Sequence, residues 1–311
     1  MKYGCGHAVL VKVFANGAMK KNIVKSETPV ISVCIPVYNA ERFIAATIEA
    51  VLQQTWTNYE LIVVDDHSAD RSLEIILRYS DARLRLVVNE YNLGPEANWN
   101  KALTLARGEF IKVLCHDDVL YPACLEKQAA ILMAPENAGV ALVCCKRDII
   151  DLTGQRLWSR SYPGRAGRRA GRAAVRQIVR NGTNLIGEPS AVLFRTEAAR
   201  KAGLFCARFP YAIDLQYWCR LLQHGDLYCL PVALCAFRVF RESWSMALFK
   251  SQRRHFLQLA QALARDPAYG VTTLDLLLCR ISSLIQSALR KCFYFAYGMG
   301  GIPNRKRISV V

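Results

Sequence analysis

The segment FIKVLCHDDVLYP, Phe110 to Pro122, runs from a mostly apolar stretch straight into His116, Asp117 and Asp118. Adjacent carboxylates at the tip of a buried strand repel each other and lose solvation. Something must compensate them: a metal ion, water, or only the backbone of a turn. Three more polar clusters follow apolar runs in the same half of the chain: PVYN from Pro36, DDHSAD from Asp65 and NEYNLG from Asn89. Alone, Asp117-Asp118 reads as a turn after a strand and His116 as a loop residue. Four such clusters at one edge of one sheet read as a site.

The elements that must position them alternate. Apolar, β-branched runs at Val30–Val37, Tyr59–Val64, Leu84–Val88, Phe110–Leu114 and Val140–Ile150 predict strands. Helical spacing covers Ala40–Gln54, a segment around Leu73–Leu77, Pro95–Ala106 and Tyr121–Met133. Strand–helix alternation with short connections implies a mainly parallel sheet with helices on both faces, whose ligands bind beyond the carboxyl ends of the strands. The second half is less regular. It offers a strand at Ser190–Phe194, a helix at Ile213–Gln223, a strand at Leu227–Phe240 interrupted by Pro231, and helices from Ser245 with a break at Asp266-Pro267. The last of these, Leu274–Tyr297, is long and apolar but carries Arg280, Arg290 and Lys291, so it is amphipathic rather than a membrane span.

The composition, 52% hydrophobic and 21% charged over 311 residues, is ample for a large core. A net charge of +16 attracts polyanions, whether nucleic acid, anionic lipid or phosphorylated substrates. Twelve cysteines without a CxxC pair, mostly inside apolar runs, point to free thiols in a reducing cytosol and away from a zinc site. The turn after the first strand, PVYNAERF, has no glycine, and no G-x-x-x-x-G-K-[ST] occurs. Neither a dinucleotide-dependent oxidoreductase nor a P-loop enzyme is supported. Residues 1–29 read as a leader, disordered or a mis-assigned start, since MKKNIVKSETPVISVCIPVYN from Met19 looks like a natural beginning.

The run ISVCIPVYN from Ile31, the DDHSAD cluster, and NEYNLGPEANWNKALTLARGEFIKVLCHDD resemble the family 2 glycosyltransferases of bacterial type. Asn92, Gly94, Asn100, Ala106 and Gly108 fall at that family's spacing. The resemblance is dense from Val30 to Asp118 and thinner through GEPSAVLFR (Gly187–Arg195) and YAIDLQYWCRLL (Tyr211–Leu222). It implies a GT-A fold, a Rossmann-like α/β domain over residues 30–245, with a C-terminal helical extension over 246–311. It implies an inverting, metal-dependent, hexosyltransferase-like enzyme. Such an enzyme moves a sugar from a nucleotide-diphosphate donor to a saccharide or lipid-linked saccharide in cell-surface polysaccharide or glycolipid assembly, in the cytoplasm or peripherally on its membrane.

By position, the resemblance assigns Pro36 and Tyr38 to the base and ribose, and Asp66, with Asp65, to hydrogen bonds with the base. Asn92 and Asn100 border the diphosphate and sugar. Asp117 and Asp118 match the metal motif, with Asp118 the direct ligand of Mg²⁺ or Mn²⁺, ions that suit hard oxygen ligands and neutralise a leaving diphosphate. Asp214 matches the base that takes the acceptor's proton. The chain departs from the pattern at Cys115, where an aspartate is usual, at Ile213, where an acid precedes the base, and at Phe240, where a histidine is common. Arg238 or Arg241 is then a substitute phosphate clamp.

Bland readings stand beside these. Asp214 could be a helix cap, Tyr38 strand-end packing and Trp218 core. The six arginines between Gly164 and Arg180 are either a solvated helix face or a dock for anionic lipid, and the last helix raises the same question. A nucleic-acid-binding protein is favoured only by charge, without a motif, so no nucleic acid is expected. A degenerate transferase fold that binds nucleotide sugars or anions without turnover is the alternative.

Overall fold

The computed structural model describes residues 28–297, so the leader expected over residues 1–29 falls outside the described residues apart from its last two positions. The apolar runs form strands β1 (Ile31–Val37), β2 (Tyr59–Asp65), β3 (Leu84–Val88) and β4 (Phe110–Val113). Between them lie helices α1 (Ile44–Leu52), α2 (Ser72–Ile76) and α3 (Pro95–Leu105). Then follow β5 (Val119–Leu120), α4 (Cys124–Met133), β6 (Val140–Ile150), β7 (Arg156–Arg160), β8 (Gly167–Arg169) and α5 (Gly171–Asn181). The chain continues through β9 (Val192–Arg195), α6 (Thr196–Ala202), α7 (Ile213–Leu221) and β10 (Asp226–Arg238). Helices α8 (Trp244–Ala247), α9 (Gln252–Arg265) and α10 (Thr273–Ala296) complete it.

The strands make one sheet in the order β3-β2-β1-β4-β9-β6-β10-β5, with β7 beside β6 and β8 beside β10. β3, β2, β1 and β4 are parallel. β9 runs against both β4 and β6, so β6 and β10 point the same way as β1. The carboxyl ends of six strands therefore share one edge, the expected place for a site. Period-two alternation splits the core: Cys34, Ile62 and Val64 face one helical layer while Val33, Ile35, Leu61 and Val63 face the other.

The long strand expected at Leu227–Phe240 forms, and its Pro231 falls in a break of register between Leu230 and Ala233, where a missing N–H costs no ladder bond. Gly108 shows how tightly the site's base is built. A Cβ there would lie 2.6 Å from the Ser32 backbone nitrogen and 2.8 Å from the Ile31 carbonyl carbon. Gly108→Ala is expected to cost about 1–3 kcal/mol by overpacking, measurable as a lower midpoint in urea.

The C-terminal helices are not a loose appendage. Phe256, Leu259, Ala260 and Leu263 of α9 share a hydrophobic cluster with Val64 and Leu142 of the sheet. α10 starts on a capping box formed by Thr272 and Asp275. Asp275 is fully buried and receives the guanidinium groups of both Arg176, at 2.9 Å, and Arg180 from α5. Burial alone would raise this carboxyl, but hydrogen bonds from Arg176, the Thr272 N–H and Arg180 hold it well below the usual range. Two of the six clustered arginines thus anchor α10. Among the described residues no helix is long and apolar enough to cross a membrane.

Candidate active site

The loops after β1 and β2 interlock. Asn39 accepts from the Ala69 N–H at 2.8 Å, and the N–H groups of Asn39, Ala40 and Glu41 donate to Ser68, Ser72 and Asp70. Asn39 (φ 49°) and His67 (φ 59°) adopt left-handed backbone here, a costly conformation that the surrounding hydrogen bonds hold in place. Pro36 closes β1 in the core, while Tyr38 is 47% exposed beside it. Asp65 is buried and accepts from both the hydroxyl (2.6 Å) and the N–H (3.1 Å) of Ser68.

Asp66 organises the loop after β3. Its carboxylate accepts from Asn89 Nδ2 at 2.6 Å, the Leu93 N–H at 2.8 Å and the Gly94 N–H at 3.0 Å. Asn92 donates to the Asp66 carbonyl at 3.2 Å and accepts from the Gly94 N–H. Asn98, buried on α3, bridges Asn89 and the Val64 carbonyl, and Lys101 donates to Asn89 at 2.7 Å. Asn100 lies two residues further round the helix and pairs reciprocally with the Phe205 backbone at 3.0 and 2.7 Å.

At the tip of β4, one ligand atom each from Cys115, Asp117 and Asp118 lie within 4.8 Å of one another. Asp118 is fully buried; Oδ1 accepts from the Arg238 N–H at 3.0 Å, while Oδ2 has no hydrogen-bond partner. Burial and then the charge of Asp117 raise the Asp118 carboxyl well above its ordinary range. An orphaned buried carboxylate oxygen facing a second carboxylate is the donor set a hard divalent cation fits. Asp118 with Asp117 would hold it, and the Cys115 thiol would flank it. The Thr47 hydroxyl fixes the turn through the carbonyls of His116 (2.8 Å) and Asp118 (2.9 Å).

Arg238 is buried and committed to the backbone: Nε donates to the Asp117 carbonyl at 2.9 Å and Nη1 to those of Asp151 and Leu152. Its guanidinium lies 4.7 Å from the centre of the Phe43 ring, against which Phe240 packs at 5.1 Å. Phe240 thus closes the edge of the site with an apolar contact, and Arg238 splints the acidic turn.

Asp214 stands in the first turn of α7. Oδ2 accepts from Asn184 at 3.1 Å and Oδ1 from the Leu215 N–H at 2.6 Å. Burial, and next the negative charge of Glu188, raise it to about 7. Glu188 is paired with the fully buried Arg147. Burial would raise Glu188 too, but Arg147 and Arg160 hold it below its ordinary value. The Cys115 thiol feels Asp118, Asp117, Asp214 and Glu188 in turn, which joins the β4 tip and the α7 head in one electrostatic site. Trp218 lies in the core, its indole N–H donating to the Gly187 carbonyl at 3.0 Å. Gly187 has φ 120°, and a Cβ there would press within 3.0 Å of Arg147 and Ala191.

Residues 32–203 match the sequence profile described as glycosyl transferase family 2, more than half of the chain. The chain belongs to this family. A family 2 relative, the UDP-Glc:alpha-D-GlcNAc-diphosphoundecaprenol beta-1,3-glucosyltransferase WfgD of Escherichia coli, is 42% identical over 103 residues, 33% of this chain and 41% of its own. An uncharacterised protein of Mycobacterium tuberculosis is 34% identical over 216 residues, 67% of this chain and 66% of its own. The match therefore spans less than two thirds of either relative. Among solved structures, Staphylococcus aureus TarS in complex with UDP-GlcNAc superposes with a TM-score of 0.63 at 18% identity, covering 86% of this chain and 75% of that one. The mannosyltransferase PcManGT of Pyrobaculum calidifontis, in complex with GDP-Man and Mn²⁺, gives 0.59 at 20% identity, covering 87% and 76%. The fold is GT-A, as expected.

Within this family 2 chain, the sequence reading missed Glu188, Asn89, Asn98 and Asn184. Glu188 sits inside the GEPSAVLFR segment, in the loop before β9, but its partner Arg147 is 41 residues away on β6. Only the oddity of an arginine within the apolar run of β6 could have signalled a buried counter-charge.

Proposed function

We propose that the chain is a metal-dependent, inverting glycosyltransferase that moves a sugar from a nucleotide-diphosphate donor to a hydroxyl of a saccharide or lipid-linked saccharide, in the cytoplasm, for cell-surface polysaccharide assembly. The observation that carries it is the acidic tip of β4, where Asp118 keeps an unpartnered buried carboxylate oxygen beside Asp117, together with Asp214 held by Asn184 in the first turn of α7. The names of WfgD, TarS and PcManGT support the donor class.

The acceptor oxygen attacks the anomeric carbon, the bond from that carbon to the diphosphate oxygen breaks with its electron pair on the leaving group, and the acceptor's proton passes to Asp214. A pKa matched to ambient pH lets Asp214 be ionised before transfer and still basic enough to hold the proton. Glu188 keeps it there, and Asn184 orients it. Pro36, Tyr38, Asp65 and the loop fixed by Asp66 and Asn92 frame the nucleotide, with Asn100 bracing α3. Held by Asp118 and Asp117, Mg²⁺ or Mn²⁺ would neutralise charge on the departing diphosphate.

Cys115 in the metal motif favours one rival, a fold that binds nucleotide sugars or anions without turning them over. Thermal-shift screening of UDP- and GDP-sugars with and without Mn²⁺ separates the outcomes. A stabilisation that needs donor and metal together, accompanied by release of nucleoside diphosphate, is expected. Stabilisation without release on any hydroxyl acceptor would favour the binder, and no stabilisation by any donor would remove both.

A further inference from the structure

We propose that α10 docks this protein on an anionic phospholipid bilayer. The helix is 24 residues long, about 36 Å at 1.5 Å per residue. Asp275, Cys279, Ser283 and Tyr294 face inward and are buried. The opposite face carries Leu274, Leu277, Ile281, Leu284, Ile285 and Leu289, each 54–59% exposed, and ends at Phe295, 81% exposed. At 100° per residue these positions form one continuous apolar strip of the kind monomers seldom leave in water.

Charge selects the occupant. Arg280 and Lys291 border the strip, and the cleft between α10 and α9 is lined by Lys250, Arg253, Arg254 and Lys291 around Phe249 and Leu257. No acidic residue follows Asp275 to the end of the chain, while Arg305, Lys306 and Arg307 add to the positive charge in that sequence. Pairing α10 with its counterpart in a second copy would bring these cations together in a chain already at +16. A leaflet with anionic headgroups takes the apolar strip into its acyl boundary and the flanking cations at its surface. The end of α10 reaches the site: Tyr294 packs with Ile149 and Val239 at the ends of β6 and β10 and is close enough to feel Glu188 and Arg160.

The inference rests on the surface alone and is independent of whether transfer occurs. Flotation of the full chain with vesicles of phosphatidylcholine, with and without phosphatidylglycerol, tests it at physiological ionic strength. Binding to the anionic vesicles only is expected. It should weaken by roughly tenfold or more in the exposed-face pair Ile281→Asp with Ile285→Asp, and in Arg280→Glu with Lys291→Glu, each with an unchanged thermal melt. No flotation of the parent chain overturns the proposal. So does flotation that ignores the isoleucine pair, which would mean diffuse charge attraction. Conversion of a dimer to a monomer by that pair, with vesicle binding unaltered, would assign the strip to a second copy instead.

Discussion

Asp214→Asn should lower the rate of sugar transfer by about 10²–10⁴-fold while leaving donor binding intact, because it removes the proton acceptor and keeps the shape of the side chain. The pH profile of the parent carries the sharper signature. Asp214 must be ionised to act, so kcat/KM is expected to fall as pH drops below about 7, the value to which burial and Glu188 raise this carboxyl. Glu188→Gln removes the second of those causes and leaves Arg147 without its counter-charge, and both changes favour ionised Asp214. The acid limb should then move to lower pH. An unmoved limb, or parent-like turnover in Asp214→Asn, would place the base elsewhere.

Asp118→Asn is expected to separate stability from activity. The rate should fall on the order of 10³-fold, the equivalent of ~4 kcal/mol of charge stabilisation at the leaving group. Without metal the variant should nonetheless melt higher than the parent, by on the order of 3 °C. Asp118 is buried with one oxygen unpartnered, and its folded carboxyl titrates above its unfolded one. Between those two values the folded state binds more protons than the unfolded state, so stability falls as pH rises through that window. Asparagine has no charge to bury and still offers Oδ1 to the Arg238 N–H. The advantage of the variant should shrink toward acidic pH, where Asp118 is protonated in both states. Mn²⁺ should raise the parent's melting temperature and leave the variant's unchanged. A variant that melts lower than the metal-free parent would refute the strained-carboxylate account.

Much of the fold was legible because burial on both faces turns parallel strands into uninterrupted apolar runs, and β1, β2, β3 and β6 begin and end within a residue of where such runs do. β5, β7 and β8 were not, because a two-residue strand such as β5 and the short, arginine-bearing β7 and β8 are defined by the neighbours they pair with. The seven-residue helix α6, set directly after β9, also escaped notice. In the site, the acidic tip drew attention by residue type, whereas Asp214 entered only through the family resemblance. The contrast between Asn98 and Asn100 did not, since residues two apart on a helix face away from each other and only the packing of α3 decides which side meets the strand ends. Arg238 suggested a phosphate clamp from its charge, yet its guanidinium donates to three carbonyls in the turns after β4 and β6.

The carboxylate of Asp275 has a meaning for how such chains diversify. The family profile ends at Gly203, but the ion pairs from Arg176 and Arg180 to Asp275 tie a helix inside the profile to one far beyond it. The two stretches are therefore poor candidates for independent exchange between relatives. A recombinant that took a foreign C-terminal segment would leave two guanidinium groups without their shared acid. The natural unit of inheritance runs past the recognisable motif, through the helix whose inner face Arg176 and Arg180 clamp.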